Sequence, residues 1–476
     1  MHAELAQLGA VVGSAGLAFL LVAPGGRIRL AGLAAWGGGG LALAASLAPA
    51  GRPVLYVGAA VLAVAGAVAL AAAFVAWPWL VPVLTLACVP ARVPVALEGE
   101  DANLLLPLYG VVAGAALALA WELLRGDARS RELGPLAWPL AAFTGWAGLS
   151  LLWSGDVREG TIDLAAFLLP FGLLSVSVAR LPWSRRWLTA VFVELLAMAL
   201  AFAAIGAYQW VTRDVFWNPK VVVGNAYAPF YRVNSVFWDP SIYGRFLVVA
   251  IIACVGVVLT LSRLREGLLL TGAVAAIWVG LLLSFSQSSF AALVVAVLGA
   301  AAFAWGRRTL APLAAVAAVL VLVGFATTNV RDELRKDLNR ATSGRSNLVG
   351  TGARIAAANP VGGVGLGGFR RAYAERTGLR GEEPKKAASH STPVTVAAEG
   401  GVPGFALYLW LLAAALVVPL RRASRSFAGR VSLIVGLALM AIAVHSLFYD
   451  AFFEDPTTWA LLGLASVVGA WRGAGR

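Results

Sequence analysis

Between Thr328 and Gly400 the chain gathers most of its polar chemistry: Ser343-Gly344-Arg345, a glycine run (Gly362, Gly363, Gly365, Gly367, Gly368), His390, and Glu399-Gly400-Gly401. His390 is one of three histidines, with His2 and His445, and it stands shortly before an apolar span. An imidazole there has the reach of a general base for a membrane-bound substrate, although a lone histidine is more often solvated or structural. Glu399 either orients that ring or faces headgroups at the start of the span. The glycine run lacks the Gly-Lys-Ser/Thr ending of a phosphate loop and follows no soluble strand. It reads instead as a tight turn at a membrane surface. The same stretch carries twelve Lys/Arg against seven Asp/Glu, an excess suited to a polyanion such as a pyrophosphate or an anionic lipid. Within it, 331–342 reads as an interfacial helix with Leu334 and Leu338 on one face.

A second polar stretch, 211–245, mixes eight aromatic residues with Arg232, Asn234 and Asp239. An interfacial aromatic belt explains several of the rings. Rings such as Trp238 beside amides and carboxylates also suit a sugar, and an Arg232–Asp239 pair would be structural. The serine-rich Ser284–Ser289 segment breaks the apolar pattern between two further spans.

These residues need a scaffold, and composition says what kind. The chain of 476 residues is 60% hydrophobic and 13% charged, with a mean hydropathy of +0.82. Whole segments of about 20 residues are apolar on every face, so the expected fold is all-α: a polytopic transmembrane bundle of about 12–15 spans. One long, largely helical extracytoplasmic segment interrupts it between late spans. The organisation reads as N-terminal spans in 1–200, spans with an outward loop at 211–240 in 201–327, the long polar segment in 328–400, and C-terminal spans in 401–476. Residues 79–96, with Pro82, Pro90 and Pro94, are either a kinked span or a re-entrant piece, and their status sets the orientation of the N-terminus. The first apolar segment has neither a positive n-region nor a cleavage site and reads as a retained span. Cys88 and Cys254 both lie in apolar segments and indicate no disulfide framework.

The net charge of +13 sits largely in short loops, where it sets topology; nucleic acid is excluded as a partner. Alternate loops sort into two sets. One carries Arg125, Arg129, Arg131, Arg180, Arg185, Arg186, Arg263, Arg265, Arg307, Arg308, Arg421, Arg422, Arg425 and Arg430 and ends at Arg472 and Arg476. This set is expected in the cytoplasm, with the C-terminus. The other set holds Asp156-Arg158-Glu159, 211–240, Ser284–Ser289, 328–400 and Asp450–Asp455, and is expected outside, in the cell membrane's extracytoplasmic face. Cytoplasmic nucleotides do not reach that face, so a substrate there would arrive on a lipid.

Taken in order, the outward pieces resemble the O-antigen ligase and O-antigen polymerase superfamily. The likeness rests on Arg232-Val-Asn-Ser-Val-Phe-Trp-Asp-Pro-Ser, Ser284–Ser289, Ser343-Gly344-Arg345, Asn359-Pro360-x-x-Gly363-Val-Gly365-Leu-Gly367-x-Phe369, His390, and Glu399-Gly400-Gly401-x-x-Gly404. It covers roughly 225–420. The resemblance implies a metal-independent, inverting glycosyltransferase without a cofactor, taking an undecaprenyl-diphosphate-linked glycan as donor and a glycan or lipid as acceptor. Arg232 and Arg345, with Arg354 as a further outward arginine, would grip the diphosphate; His390, with Glu399, would deprotonate the acceptor; Asn234, Asp239 and Trp238 would meet sugar. The serine run reads Ser286-Gln287-Ser288-Ser289 where many relatives carry an arginine, so a donor contact would pass to another outward arginine such as Arg245 or Arg354. After His390, Ser-Thr-Pro-Val-Thr replaces the commoner pattern, which leaves ligase and polymerase open. The rival readings are a transporter or flippase of lipid-linked glycans and a non-catalytic scaffold of an envelope-assembly complex. Charges clustered at span ends, with Glu194 the main exception, favour the enzyme.

Overall fold

A computed structural model describes residues 2–48, 53–97, 100–126, 134–216, 218–227, 230–261, 263–306, 308, 345–378 and 389–470. The expected span at 309–327 and interfacial helix at 331–342 lie outside the described residues. The helices in chain order are α1 (Ala3–Val22), α2 (Gly26–Leu47), α3 (Pro53–Ala76), α4 (Leu80–Cys88), α5 (Leu106–Leu124), α6 (Ala137–Ser150), α7 (Val157–Ile162), α8 (Leu169–Arg180) and α9 (Arg185–Thr212). They continue with α10 (Pro219–Tyr227), α11 (Pro240–Val258), α12 (Leu264–Ser284), α13 (Gln287–Trp305), α14 (Arg345–Ala358), α15 (Phe369–Thr377), α16 (Thr392–Leu420), α17 (Phe427–His445) and α18 (Pro456–Ala470). A π-helical turn, Asp163–Leu168, joins α7 to α8. Among the described residues, 12 helical segments are long and apolar enough to cross a membrane, so the fold is the polytopic helical bundle that composition implies.

Residues 79–96 resolve into something shorter than a span. Pro90 stops α4 after nine residues, and the chain then forms an antiparallel hairpin of β1 (Val93–Leu97) and β2 (Glu100–Leu104), paired from Val93↔Leu104 to Leu97↔Glu100. The piece still runs between the two ends of the bundle. Val81 lines a small cavity with Glu122 and Arg180 at one end, whereas Arg92 Nη2 donates to Glu454 O at 3.5 Å at the other.

Two apolar cores share one wall. α1, α2, α5, α6, α8, α16 and α18 surround the first, and α9, α11, α12 and α13 the second. α17 serves both: Val435, Ala438, Leu439 and Ile442 face the first core, while Leu433, Leu437 and Ala441 face the second. That split follows from helical spacing, since i, i+4 and i+8 form one stripe and i, i+3, i+4 and i+7 another. α11 is the most enclosed span, with 83% of its window buried, against 11% for α9. The exposed apolar face of α9 is what a lipid-facing helix presents.

The two loop sets separate in space as the alternation requires. At one end, Arg430 reaches Thr260 O, Arg185 lies over Phe427 and Arg422 donates to Val468 O. At the opposite end, 154–159 bonds to 359–371, Arg232 to Ser284, and 445–455 to both Ser288 and Ser389. Gln7 donates to Leu152 O at 3.2 Å, which places the N-terminal end of α1 there too.

Candidate active site

Two polar constructions meet at this end. The first holds Arg232. Asn225 grips its main chain on both sides, donating to Arg232 O at 2.9 Å and accepting from Arg232 N at 3.0 Å. Its Nε donates to Ser284 O at 3.1 Å, the last carbonyl of α12, where the helix dipole favours a cation. α12 ends because Phe285 turns left-handed (φ 47), and Ser286 caps α13 by accepting from Ser289 N. Beside it, Arg245 Nε meets Asp455 Oδ2 at 2.9 Å in an ion pair with both side chains buried.

The second construction is the glycine loop 359–368 laid against a break in α16. Gly401 is non-helical (φ 62, ψ −164) and Pro403 has no N–H to donate. Val402 N turns to Pro360 O at 2.8 Å. The carbonyls of Ala398 and Glu399 therefore lose their helical donors at 402 and 403, and the loop supplies replacements: Val364 N to Ala398 O at 2.9 Å and Gly365 N to Glu399 O at 3.0 Å. Approach this close needs glycine. A Cβ at Gly363 (φ +66) would overlap the Glu399 carbonyl, and one at Gly367 (φ +77) would overlap Gly160 N. Indole donors complete the seam, Trp146 Nε1 to Gly400 O and Trp153 Nε1 to Gly362 O, both at 2.9 Å. The loop's far side is tied by Ser154 Oγ to Leu366 O at 2.6 Å and Arg371 Nη1 to Gly155 O at 2.7 Å. The loop is thus the glycine-permitted turn that its sequence suggests, and it binds main chain.

His390 sits between the two, in a left-handed conformation (φ 52) that a non-glycine residue holds only when its surroundings enforce it. The restraint comes from Asp450. Its Oδ2 accepts from Ser389 Oγ at 3.2 Å and, across the turn, from Thr395 Oγ1. Thr392 is fixed by its N–H to Ser446 O at 2.9 Å and by its hydroxyl, which accepts from Phe452 N. One segment, 445–455, accordingly touches several of these parts: His445 the serine turn, Ser446 and Asp450 the His390 turn, Asp455 Arg245, and Glu454 Arg92.

Under the His390 turn lies a cavity of about 110 Å3, walled by Phe143, Trp146, Phe167 and Phe453 and edged by four carboxylates, Asp163, Glu399, Asp450 and Glu454. Among the described residues no three of the acids form a metal-holding group. Burial raises the Glu454 carboxyl above the ordinary range, and Asp450 adds to the rise; Arg92, Arg245 and Arg370 oppose it. Arg370 pairs with Glu159 at 3.2 Å at the rim. Asp163 reaches the cavity from the π-helical turn, an irregularity that concentrates at functional positions.

The other expected residues fall as follows. Glu399 is buried and accepts from Phe369 N at 3.1 Å, at the start of α15. Asn234 is fully buried, and its amide donates to Phe237 O at 2.7 Å within its own loop. Asp239 caps α11 by accepting from Ser241 N. Trp238 is half-buried, and its carbonyl accepts from Asn218. Arg354 is exposed on α14 and donates to Thr351 Oγ1 at 3.0 Å. Arg345 opens α14, and its side chain lies outside the described residues. Much of the 211–245 aromatic set packs inward or stacks: Phe237 lies on Phe202 and Phe246, and Phe230 stacks on Phe285 at 4.7 Å. Reading residue by residue missed Asp163, Asp450 and Glu454 as cavity groups. The available signal was a carboxylate inside the apolar stretch 161–179, which is costly unless it has a task.

Residues 246–409 match the family model described as O-antigen ligase. The match begins after Arg232 and ends before the 445–455 segment. A search of the curated proteins gave no match.

Proposed function

With the match of 246–409 to the O-antigen ligase family model as the premise, we propose that this chain moves a glycan from an undecaprenyl-diphosphate carrier to a hydroxyl of an acceptor glycan or lipid, on the outer face of the cell membrane. His390 takes the proton from the acceptor hydroxyl. The acceptor oxygen attacks the anomeric carbon, the bond from that carbon to the diphosphate oxygen breaks, and configuration inverts. Arg232 and Arg345 neutralise the charge that develops on the leaving diphosphate, a task for which planar guanidinium groups are well shaped. No metal is required for this sequence of events.

The observation that carries the reading is the convergence on 445–455 of a held arginine and a held histidine turn. Electrostatics then divides the substrates. The cavity below the His390 turn is edged by carboxyl groups and aromatic rings, and its lining offers a diphosphate no lysine or arginine among the described residues. The donor's charged end therefore belongs on the Arg232 side, and the cavity suits the uncharged acceptor sugar, whose C–H faces pack on Trp146 and Phe143. Glu399 contributes by fixing the loop and α15, and Asp450 by holding the His390 turn.

The test is a reconstituted assay with lipid-linked donor and candidate acceptors. His390→Ala and Arg345→Ala are expected to lower transfer by about 10²–10⁴-fold while the protein still inserts and purifies normally, and chelator is expected to leave the rate unchanged. Transfer retained by His390→Ala overturns the assignment of the base; a strict divalent-metal requirement overturns the metal-free route.

A further inference from the structure

The serines between α12 and α13 turn their hydroxyls into protein. Ser286, Ser288 and Ser289 are all buried. Ser286 Oγ is hydrogen-bonded to Ser289 Oγ at 2.8 Å and to Ser288 Oγ at 3.2 Å. Ser288 Oγ in turn lies 3.0 Å from Nε2 of His445, the last residue of α17. In the other direction Ser284 Oγ accepts from Ser286 N at 3.3 Å. The carbonyl of the same Ser284 accepts from Arg232 Nε at 3.1 Å, and Leu283 O accepts from Val233 N at 3.1 Å. A path of hydrogen bonds, joined through the covalent frames of Ser286 and Ser284, therefore runs from a buried imidazole to the guanidinium.

Packing does not explain the imidazole. His445 is 0% exposed, and besides Ser288 its ring has the Ser241 backbone near it, with Nδ1 making no hydrogen bond of good geometry among the described residues. A leucine or phenylalanine would fill the same space without desolvating a polar ring. The well-formed bond that the ring makes and they cannot is the one to Ser288. That bond matters because the turn it braces carries a left-handed Phe285 (φ 47), a conformation costly for a bulky side chain. A relaxed turn would rotate the Ser284 carbonyl and release the arginine from its plane.

We propose that His445 is a positioning residue for Arg232, holding the α12–α13 turn through Ser288 so that the guanidinium meets the donor diphosphate in fixed orientation. The inference rests on the reading of Arg232 as a diphosphate ligand. It also explains how the two halves of the site keep their spacing: His445 holds the arginine side, and the carbonyl of Ser446, its neighbour, holds Thr392 beside His390.

The test uses the full chain in lipid nanodiscs, with His445→Leu, His445→Gln, Ser288→Ala and the double variant His445→Leu/Ser288→Ala. Two readouts are taken: steady-state transfer with donor and acceptor varied separately, and direct binding of undecaprenyl diphosphate. Loss of one bracing hydrogen bond is expected to raise the donor KM and weaken lipid binding by about tenfold in His445→Leu and in Ser288→Ala, with the acceptor KM moving less than about twofold. The double variant is expected to be no worse than either single one, because both remove the same bond, and His445→Gln, whose amide can bond Ser288, is expected to recover most of the affinity. Ser288→Ala removes one oxygen and carries the test alone should the His445 variants fail to fold. Donor and acceptor KM rising together, additive losses in the double variant, or unchanged donor affinity in an active protein would each overturn the inference. An unsubstituted chain that neither transfers glycan nor binds the lipid overturns the underlying reading, and this inference with it.

Discussion

The serine turn and the glycine loop hold their functional neighbours by opposite means. Around Arg232 and Ser284–Ser289 the bonds run through side chains: an asparagine amide, four hydroxyls, an imidazole and a buried ion pair. Around 359–368 and the break in α16 much of the seam is main chain on main chain, with glycine admitted where backbones touch. The first construction fails when a polar atom is deleted; the second fails when a carbon is added. An arginine that must be set at an angle, as the proposed diphosphate ligand would be, is served by adjustable side chains, whereas a helix that must break at one residue is served by a rigid backbone seam.

The sharpest way to break the contrast is to add one methyl to the glycine side. Gly363→Ala and Gly367→Ala each combine a left-handed φ with overlap on another backbone. They are expected to cost about 3 kcal/mol or more, read as loss of monodisperse protein in size-exclusion chromatography and of transfer. Near-normal stability in either would show that the seam gives way. On the other side, Asp455→Ala strands the Arg245 guanidinium, whose terminal nitrogens already lack partners. An expected loss of about 3 kcal/mol follows from an uncompensated buried charge, and Asp455→Ala/Arg245→Met should recover much of the melting temperature. The smallest effect concerns Glu454. Its folded pKa is raised above the unfolded value, so the native state binds the proton more tightly and stability rises as pH falls through the folded pKa toward the unfolded one. Glu454→Gln should flatten that slope by a few degrees of melting temperature; an unchanged slope would show that the carboxylate is not a source of it.

The spans, the shared end of the polar loops and the turn-forming role of the glycines were legible in the sequence because each is a local property: twenty apolar residues, alternate basic loops, a run that only glycine fits. The meeting of Asp163 with Asp450 and Glu454 was not, since those groups are brought together by packing between residues far apart in the chain. Nor does hydropathy distinguish a π-helical turn from the α-helix on either side of it. Asn234 and Asp239 read as sugar ligands because exposed amides and carboxylates among rings do that work, yet their partners are the peptide groups of their own loop. Position in sequence showed that the loop was polar and left open which way its side chains would turn.

The missing N–H of Pro403 has one last consequence, for motion. Should the glycine loop swing away, Glu399 O would be left without any donor, in a setting with little water to replace it. A naked carbonyl costs on the order of a few kcal/mol. The loop is therefore held as a fixed stop against the break in α16.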